Sequence, residues 1–532
     1  MSKKTTKLGI DLGTTNSCCY CIRPNGNFEV VHTAEGLALL LSAPMYKNGQ
    51  DPIFGKNCSD AIKYGKRNIA RYFKRLIGKE FSDHEVQKVL KYCGAPVIDR
   101  GDGYPCYDLD IVEKGMRKTP VEVATDILNC MIQRANTYTE LEIEEICITI
   151  PARFDNNQRT ATINALKNCG FSEDRIKVIS EPCAAAITYI TENPGHKEHI
   201  LIFDFGGGTF DVSIVHVSNG EMCVEAYRGD NTVGGINIDM KLADWIKEKA
   251  YEKYNRSIPD IRGNINIASK LLVRAKEVKE CLSIEEGATI PLDDLIDRPT
   301  FESDDDDEEE DEISITRAEF ERLIEDILIR ILEVVDECIQ AAGLEKADIG
   351  DVVFVGGSTR IPCIRKAIQN HFTDTVQLRD SVNPDECVAN GALLYFNTNI
   401  SIRDRTPYSF GHLVNGTRCE CIIPMDSALP ITETVENKIT TSTCYLSLRL
   451  FQGHATHKEQ LERIRDCIYL GDYNTDLEVF MDKYELEEDD MASRTIETTY
   501  SIQQFGKIII TVRDKETGYI LVDNRVIEYQ FH

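Results

Sequence analysis

Two segments nearly two hundred residues apart share one plan. Leu8–Ser17 reads LGIDLGTTNS and Leu201–Ser213 reads LIFDFGGGTFDVS. Each is an apolar run that ends in an aspartate and passes at once into a turn rich in Gly and Thr. A buried strand delivers its terminal aspartate to a fixed point, and glycines let backbone N–H groups approach a phosphate closely. Asp11 and Asp204 are therefore candidates to hold a hydrated metal ion between two facing loops. Neither segment fits G-x-x-x-x-G-K-[ST] or G-x-G-x-x-G. The repeated order predicts a duplicated nucleotide-binding fold that grips phosphates from both sides.

The flanking sequence predicts α/β structure. Thr119-Pro120-Val121-Glu122 has the form of a capping box with Pro at the first helical position, followed by an apolar stripe from Ala124 to Ala135. EICITIP then reads as a strand, Gln158–Cys169 as a helix stopped by Gly170, and Arg175–Ser180 as a strand. Thr316–Ala342 reads as one long helix, opened by a Thr316/Glu319 capping box and stopped at Gly343. Such alternation argues for an α/β fold. Strand-like runs dominate after Asn397: ECIIP, CYLSLRLFQG, LEVFM, TIETTYSI, KIIITV and GYILV.

Charge and cysteine content narrow the function classes. Lys plus Arg number 60 against 88 Asp plus Glu, a net charge of −28. So acidic a chain is not drawn to nucleic-acid backbones or anionic membranes. FESDDDDEEEDE at 301–312 has no apolar period and self-repels, which predicts a solvated loop. The 19 cysteines lie mostly in apolar runs and read as small buried hydrophobes rather than a metal or disulfide framework. No secretory h-region and no apolar run of about 18 residues is evident. The expectation is a chain of the reducing cytoplasm, with nuclear access left open.

Further segments carry a family resemblance. KRLIG (Lys74–Gly78), TIPARFDNNQR (Thr149–Arg159), ISEPCAAAITY (Ile179–Tyr189), GDNTVGG (Gly229–Gly235), VFVGGSTRIP (Val353–Pro362) and NPDECVANGA (Asn383–Ala392) follow the two loops in order. Together they resemble the 70-kDa heat shock protein family (Hsp70/DnaK) across the first 396 or so residues. The resemblance implies an actin-like duplicated ATPase domain at 1–396, two lobes around a nucleotide cleft, then a linker at 397–405 and a β-sandwich at 406–532. The acidic run would sit near a hairpin at the tip of one lobe.

The same resemblance implies ATP/ADP and Mg²⁺ as cofactors, with K⁺ a second candidate ion. Thr14, Thr15 and Asn16 would meet the β- and γ-phosphates, with Gly206, Gly207 and Gly208 approaching from the opposite side. Thr209 would contact the γ-phosphate or the attacking water, and Asp211 would orient the metal's water shell. Lys74 resembles the lysine that stabilises in-line attack, and Glu181 the carboxylate that orders metal and water. Gly234 and Gly235 would clear space for the nucleotide. Gly356, Gly357, Ser358 and Arg360 would lie under the base, with Asp385 at its edge. Lys276 and Lys279 stand where a Glu–Lys pair contacts ribose in the family, so sugar recognition is altered here. Pro151 and Arg159 resemble an allosteric proline switch and its arginine partner.

Departures gather near the linker and beyond it. Asn399, Ile400, Ser401, Ile402 and Arg403 replace an acidic residue and four leucine-like residues. With Ser401 and Arg403 in place of apolar residues, the burial lost would cost about 2–4 kcal/mol if both positions normally bury fully, and would weaken interdomain coupling. Leu446 and Leu448 alternate correctly to line an extended-peptide site, and the family's helical lid has no counterpart before His532. The implied function is an ATP-dependent chaperone whose partners are extended peptides, J-domain cochaperones and nucleotide exchange factors. The alternative is a nucleotide-binding regulatory or cochaperone-like protein that does not hold peptide efficiently.

Overall fold

The computed structural model describes residues 5–230, 232–296, 311–372, 376–379, 381–414, 416–438, 445–491, 494–503 and 506–527. Most of the acidic run at 301–312 lies outside them. The chain divides into two compact units. One comprises Met1–Ile150, Thr162–Ile214 and Arg228–Thr398; the other takes Pro151–Ala161, Val215–Tyr227 and Asn399–His532.

The duplication expected from the two loops recurs as topology. One sheet runs Phe28–Val30, Asn16–Ile22, Thr5–Asp11, Glu142–Ile150, Ile176–Ser180. Another runs Ser401–Arg403, Glu221–Asp230, Phe210–Ser218, His199–Phe205, Asp351–Val355, Gln377–Arg379, so that, apart from the added edge strand Ser401–Arg403, both use the strand order third, second, first, fourth, fifth. In each, the strand ending at the aspartate pairs in parallel with the fourth strand. Burial on both faces explains their near-continuous apolar sequences, since Leu8, Ile10, Ile148, Leu201, Phe203 and Val353 are fully buried.

Helix signals behave as local chemistry dictates. The Thr119/Glu122 capping box forms at the head of Pro120–Thr139, and Gly170 stands at φ 92° just past the helix Asn156–Asn168. The Thr316/Glu319 box also forms, but the expected single helix divides into Arg317–Leu323 and Glu325–Ala341. Ile324 leaves helical geometry at φ −106°, ψ 14°, while the Ile324 N–H still bonds Phe320 O at 3.2 Å and the Leu328 N–H bonds Ile324 O at 3.1 Å. The division is therefore a one-residue kink.

The second unit holds two antiparallel sheets. Their orders are Leu461–Arg463, Arg418–Ile423, Ser409–Val414, Tyr445–Gly453, Ile468–Asp476, and Ile431–Lys438, Thr495–Ile502, Ile508–Asp514, Ile520–Val526. One apolar cluster draws on both: Phe410, Ile423 and Leu450 from the first, Tyr500, Ile508, Ile510 and Val512 from the second. The alternation Ile508, Ile510, Val512 thus faces the core. LEVFM corrects the sequence reading, because Glu478–Lys483 is a helix. Its buried residues are Leu477, Phe480 and Met481, while Val479 is 71% exposed. That i, i+3, i+4 spacing is helical, whereas a strand would have buried Val479 with its alternate neighbours.

Candidate functional site

The two predicted loops meet. Where Gly207 lacks a side chain, a Cβ would stand 2.4 Å from Thr15 Oγ1; at Gly208 it would stand 2.4 Å from Thr14 Oγ1. Glycine lets the second turn seat against the two threonines without displacing their hydroxyls. The Gly235 N–H donates to Gly206 O at 3.0 Å, and the Ile236 N–H donates to Gly207 O at 2.8 Å. Ser358 Oγ donates to Gly206 O at 3.0 Å. A Cβ on Gly234 would lie 2.8 Å from the Gly208 carbonyl carbon. Gly356 turns at φ 82° with Phe205 O 2.6 Å from where its Cβ would be, a place for glycine on both grounds.

Charged groups converge beside the turns. Lys74 Nζ lies 2.8 Å from Glu181 Oε1, both side chains about 10% exposed. Burial opposes the Lys74 ammonium, but the carboxylates of Glu181, Asp11 and Asp204 outweigh it and raise its pKa. Burial, with Glu181 next, pushes the Asp11 carboxyl up to about 7, while Lys74 opposes the shift. Asp204 is raised well above the carboxylate range by burial and by Glu181, Asp211 and Asp11. Four acids against one lysine is a set that a divalent cation would relieve, so Asp11 and Asp204 fit Mg²⁺ held through its waters. Thr149, a residue to which the sequence assigns no role, is buried beside this cluster with its hydroxyl left without a hydrogen-bond partner among the described residues. Its position in TIPAR, at the end of the strand parallel to Thr5–Asp11, was the available signal.

The remaining predicted contacts divide. Arg360 is half exposed and accepts orientation from Asp385, whose Oδ2 receives Nη2 at 2.6 Å and Nε at 3.2 Å. Asp385 also lies against Gly357, its Oδ1 3.2 Å from where a Cβ would be. Lys279 is buried in an ion pair with Asp239 at 2.7 Å and donates to Gly235 O at 3.3 Å. Lys276 is more exposed and pairs with Glu280 at 3.6 Å. Asn16 begins the strand that leaves the first turn, and Thr209 O receives the Gly206 N–H at 3.2 Å.

In the second unit, Pro151 is buried and Arg159 lies in the segment Pro151–Ala161. The segment is tied by Tyr408 Oη to Arg153 O at 2.9 Å and by the Asn156 N–H to Gln452 Oε1 at 2.9 Å. Arg159 Nη1 passes 3.8 Å from where a Gly506 Cβ would stand. The linker forms a strand, Ser401–Arg403, parallel to Glu221–Cys223. Ser401 and Arg403 are exposed there, and Arg403 Nη2 meets Glu221 Oε1 at 3.3 Å. Leu446 and Leu448 are half-buried and line a small cavity with Tyr473, Val512, Val522 and Arg525.

Comparison with known proteins gives the family. The family model described as "Hsp70 protein" matches residues 7–518. The chain is 31% identical to heat shock cognate 70 kDa protein 3 of Dictyostelium discoideum, over 96% of this chain and 79% of the relative. It is 30% identical to a ribosome-associated molecular chaperone of Saccharomyces cerevisiae, over 96% and 80%, and 29% identical to chaperone protein DnaK of Buchnera aphidicola, over 96% and 77%. Two facing glycine–threonine turns, a buried lysine–glutamate pair and a family match spanning nearly every residue lead to one conclusion: this chain belongs to the Hsp70 family of ATP-dependent chaperones.

Proposed function

We propose that residues 1–396 form a two-lobed, actin-like ATPase, 397–405 the linker and 406–532 a peptide-binding β-sandwich. The observation that carries this reading is the seating of Thr14 and Thr15 against Gly207 and Gly208 beside the Lys74–Glu181 pair. In this reading the backbone N–H groups of both turns, with Thr14, Thr15 and Asn16 on one side and Gly206–Gly208 on the other, bind the β- and γ-phosphates of ATP. Bound Mg²⁺ supplies charge neutralisation on the phosphates, and Asp11, Asp204 and Asp211 hold its water shell. Lys74 stabilises charge on the transferring phosphoryl group, and Glu181 with Thr209 orients the attacking water. K⁺ is a further candidate ion at the phosphates.

Gly234, Gly235, Gly356, Gly357 and Ser358 make room for the nucleoside. Asp385 fixes the Arg360 guanidinium for stacking on adenine, and Lys276 and Lys279 stand on the ribose side. Lys279 is committed to Asp239, which leaves Lys276 as the freer cation for the sugar. Hydrolysis is coupled through Pro151, Arg159 and the linker strand to an extended peptide held near Leu446 and Leu448. J-domain cochaperones and nucleotide exchange factors are the proposed partners, and the cytoplasm, with the nucleus left open, the proposed location.

Single-turnover ATP hydrolysis with and without an apolar heptapeptide tests the reading. The expected result is turnover that Asp204→Asn suppresses and peptide accelerates. Turnover without any peptide effect, and no peptide binding by anisotropy, would favour the regulatory alternative.

A further inference from the structure

Lys74 rides on a single turn of helix, Phe73–Leu76, and four residues of helix do not hold themselves in water. The chain enters that turn through Tyr72 at φ 62°, ψ 27°, a left-handed conformation that a bulky side chain keeps only where its surroundings impose it. Two buried arginines flanking Lys74 impose it. Arg71 and Arg75 are 8% and 6% exposed. Arg71 Nη2 donates to Tyr72 Oη at 2.6 Å, with the guanidinium over the ring, and Nη1 donates to Ser269 Oγ at 2.8 Å. The Arg71 backbone is fixed as well: its N–H donates to Cys93 O at 3.1 Å, and its carbonyl accepts from Tyr107 Oη at 2.5 Å. Beyond Lys74, the Arg75 N–H donates to Tyr72 O at 2.9 Å. Arg75 Nη2 donates to Asn237 Oδ1 at 3.0 Å, and Nη1 lies 3.7 Å from Glu85 Oε2.

The two side-chain acceptors stand on helices tied to the second turn. Asn237 lies in Gly235–Tyr254, whose first two N–H groups bond Gly206 O and Gly207 O. Ser269 lies in Ile267–Leu282, and that helix reaches Gly235 O and Asp239 through Lys279. We propose that Arg71 and Arg75 are positioning residues for Lys74, registering its turn from both sides against these two helices and so against the second glycine–threonine turn. The inference rests on the reading of Lys74 as the lysine of phosphoryl transfer. A lysine is a point charge on a flexible stem, and it stabilises developing charge only where its position is set beforehand. The ion pair with Glu181 restrains Nζ but leaves the backbone beneath it free to slip. Each arginine removes that freedom, because its planar fork bonds two partners at once. With either bond lost, the ammonium would follow Glu181 and stand away from the phosphoryl group.

The test is single-turnover ATP hydrolysis by the full chain carrying Ser269→Ala or Asn237→Ala, each alone and combined with Lys74→Ala. Both substitutions delete one acceptor and leave the arginines in place, and thermal unfolding checks that each variant is folded. Each alone should slow hydrolysis at saturating ATP about 10-fold, the worth of one charge-assisted hydrogen bond. ATP affinity should stay within about twofold of wild type, since the bond acts on the transition state through Lys74. With Lys74 already absent, neither substitution should slow the reaction further, because a residue that acts through another loses its effect with it. Asn237→Asp, which keeps the acceptor, should hydrolyse at least as fast as wild type. Unchanged rates in both alanine variants, or an equal loss in the Lys74→Ala background, would overturn the inference and leave Lys74 in the chemistry. Wild-type hydrolysis by Lys74→Ala alone would instead remove the reading of the site, and the inference with it.

Discussion

The region of the two facing turns and the β-rich region are held by different kinds of constraint. Around the facing turns, backbone meets backbone: a Gly234 Cβ would fall 2.8 Å from a carbonyl carbon, and Lys74 and Glu181 share one buried contact. Between the two sheets of the second unit, apolar side chains fill a common core and any well-shaped hydrophobe serves. The first constraint allows one residue type at each position; the second allows many. Substitutions should therefore cost function in the first region out of proportion to stability, and the reverse in the second.

The strongest challenge to that contrast is Lys74→Ala or Asp204→Asn. Each should lower single-turnover hydrolysis about a hundredfold or more, roughly 3–4 kcal/mol of transition-state stabilisation, with nucleotide still bound. Rates and affinities measured separately decide it, and unchanged rates in both variants would remove these residues from the chemistry. Next is Gly234→Ala. Its new Cβ meets backbone that must shift, so nucleotide affinity should fall about 10- to 100-fold, the 1–3 kcal/mol of an overpacked site. Gly207→Ala should do less, because Thr15 can rotate its hydroxyl away. Equal losses, read by calorimetric titration, would show that the turn yields as readily as the side chain.

A gain of stability sharpens the comparison further. The Asp11 carboxyl has a folded pKa of about 7 against an ordinary 3.8, with burial the main cause. The folded state therefore holds the proton more tightly, and the ligand-free protein loses stability as pH rises from about 4 to 7. Asp11→Asn should be more stable than wild type at pH 8 by about 1–3 kcal/mol, with the difference fading towards pH 4. Mg²⁺ and nucleotide should restore wild type and not the variant. Scanning calorimetry at pH 5 and 8 reads both effects, and a wild type more stable than the variant at pH 8 without Mg²⁺ would contradict the assigned charge crowding.

How far each region could be read in advance follows from the same contrast. Asp11, Thr14, Thr15, Lys74, Glu181, Asp204 and Gly206–Gly208 stood out in sequence, and the structure brings them together, because close approach and buried charge restrict identity position by position. Thr149 escaped notice since a lone hydroxyl at a strand end has no pattern of its own. In the β-rich region, alternation located Ile508–Asp514, yet it misassigned Glu478–Lys483. A five-residue apolar run fits either period until its neighbours are known. The kink at Ile324 was invisible, with neither Pro nor Gly to announce it.

The linker gives the smallest expected effect and the most direct test of side chain against backbone. The loss of buried side chains at 401 and 403 is expected to weaken coupling; Ser401 and Arg403 are exposed here, and the strand also has a backbone ladder on Glu221–Cys223. The Ser401 N–H donates to Gly220 O at 3.1 Å. Ser401→Pro deletes that donor and should cost about 1 kcal/mol of linker docking, seen as a several-fold weaker effect of ATP on peptide affinity. Arg403→Ala removes only an exposed pair with Glu221 and should change docking by about 0.5 kcal/mol or less, an effect erased by salt. Ser401→Leu, which restores the family's residue type, should gain little because its side chain would face water. A large recovery of coupling by Ser401→Leu would mean that burial at this position, and not the ladder, governs the signal.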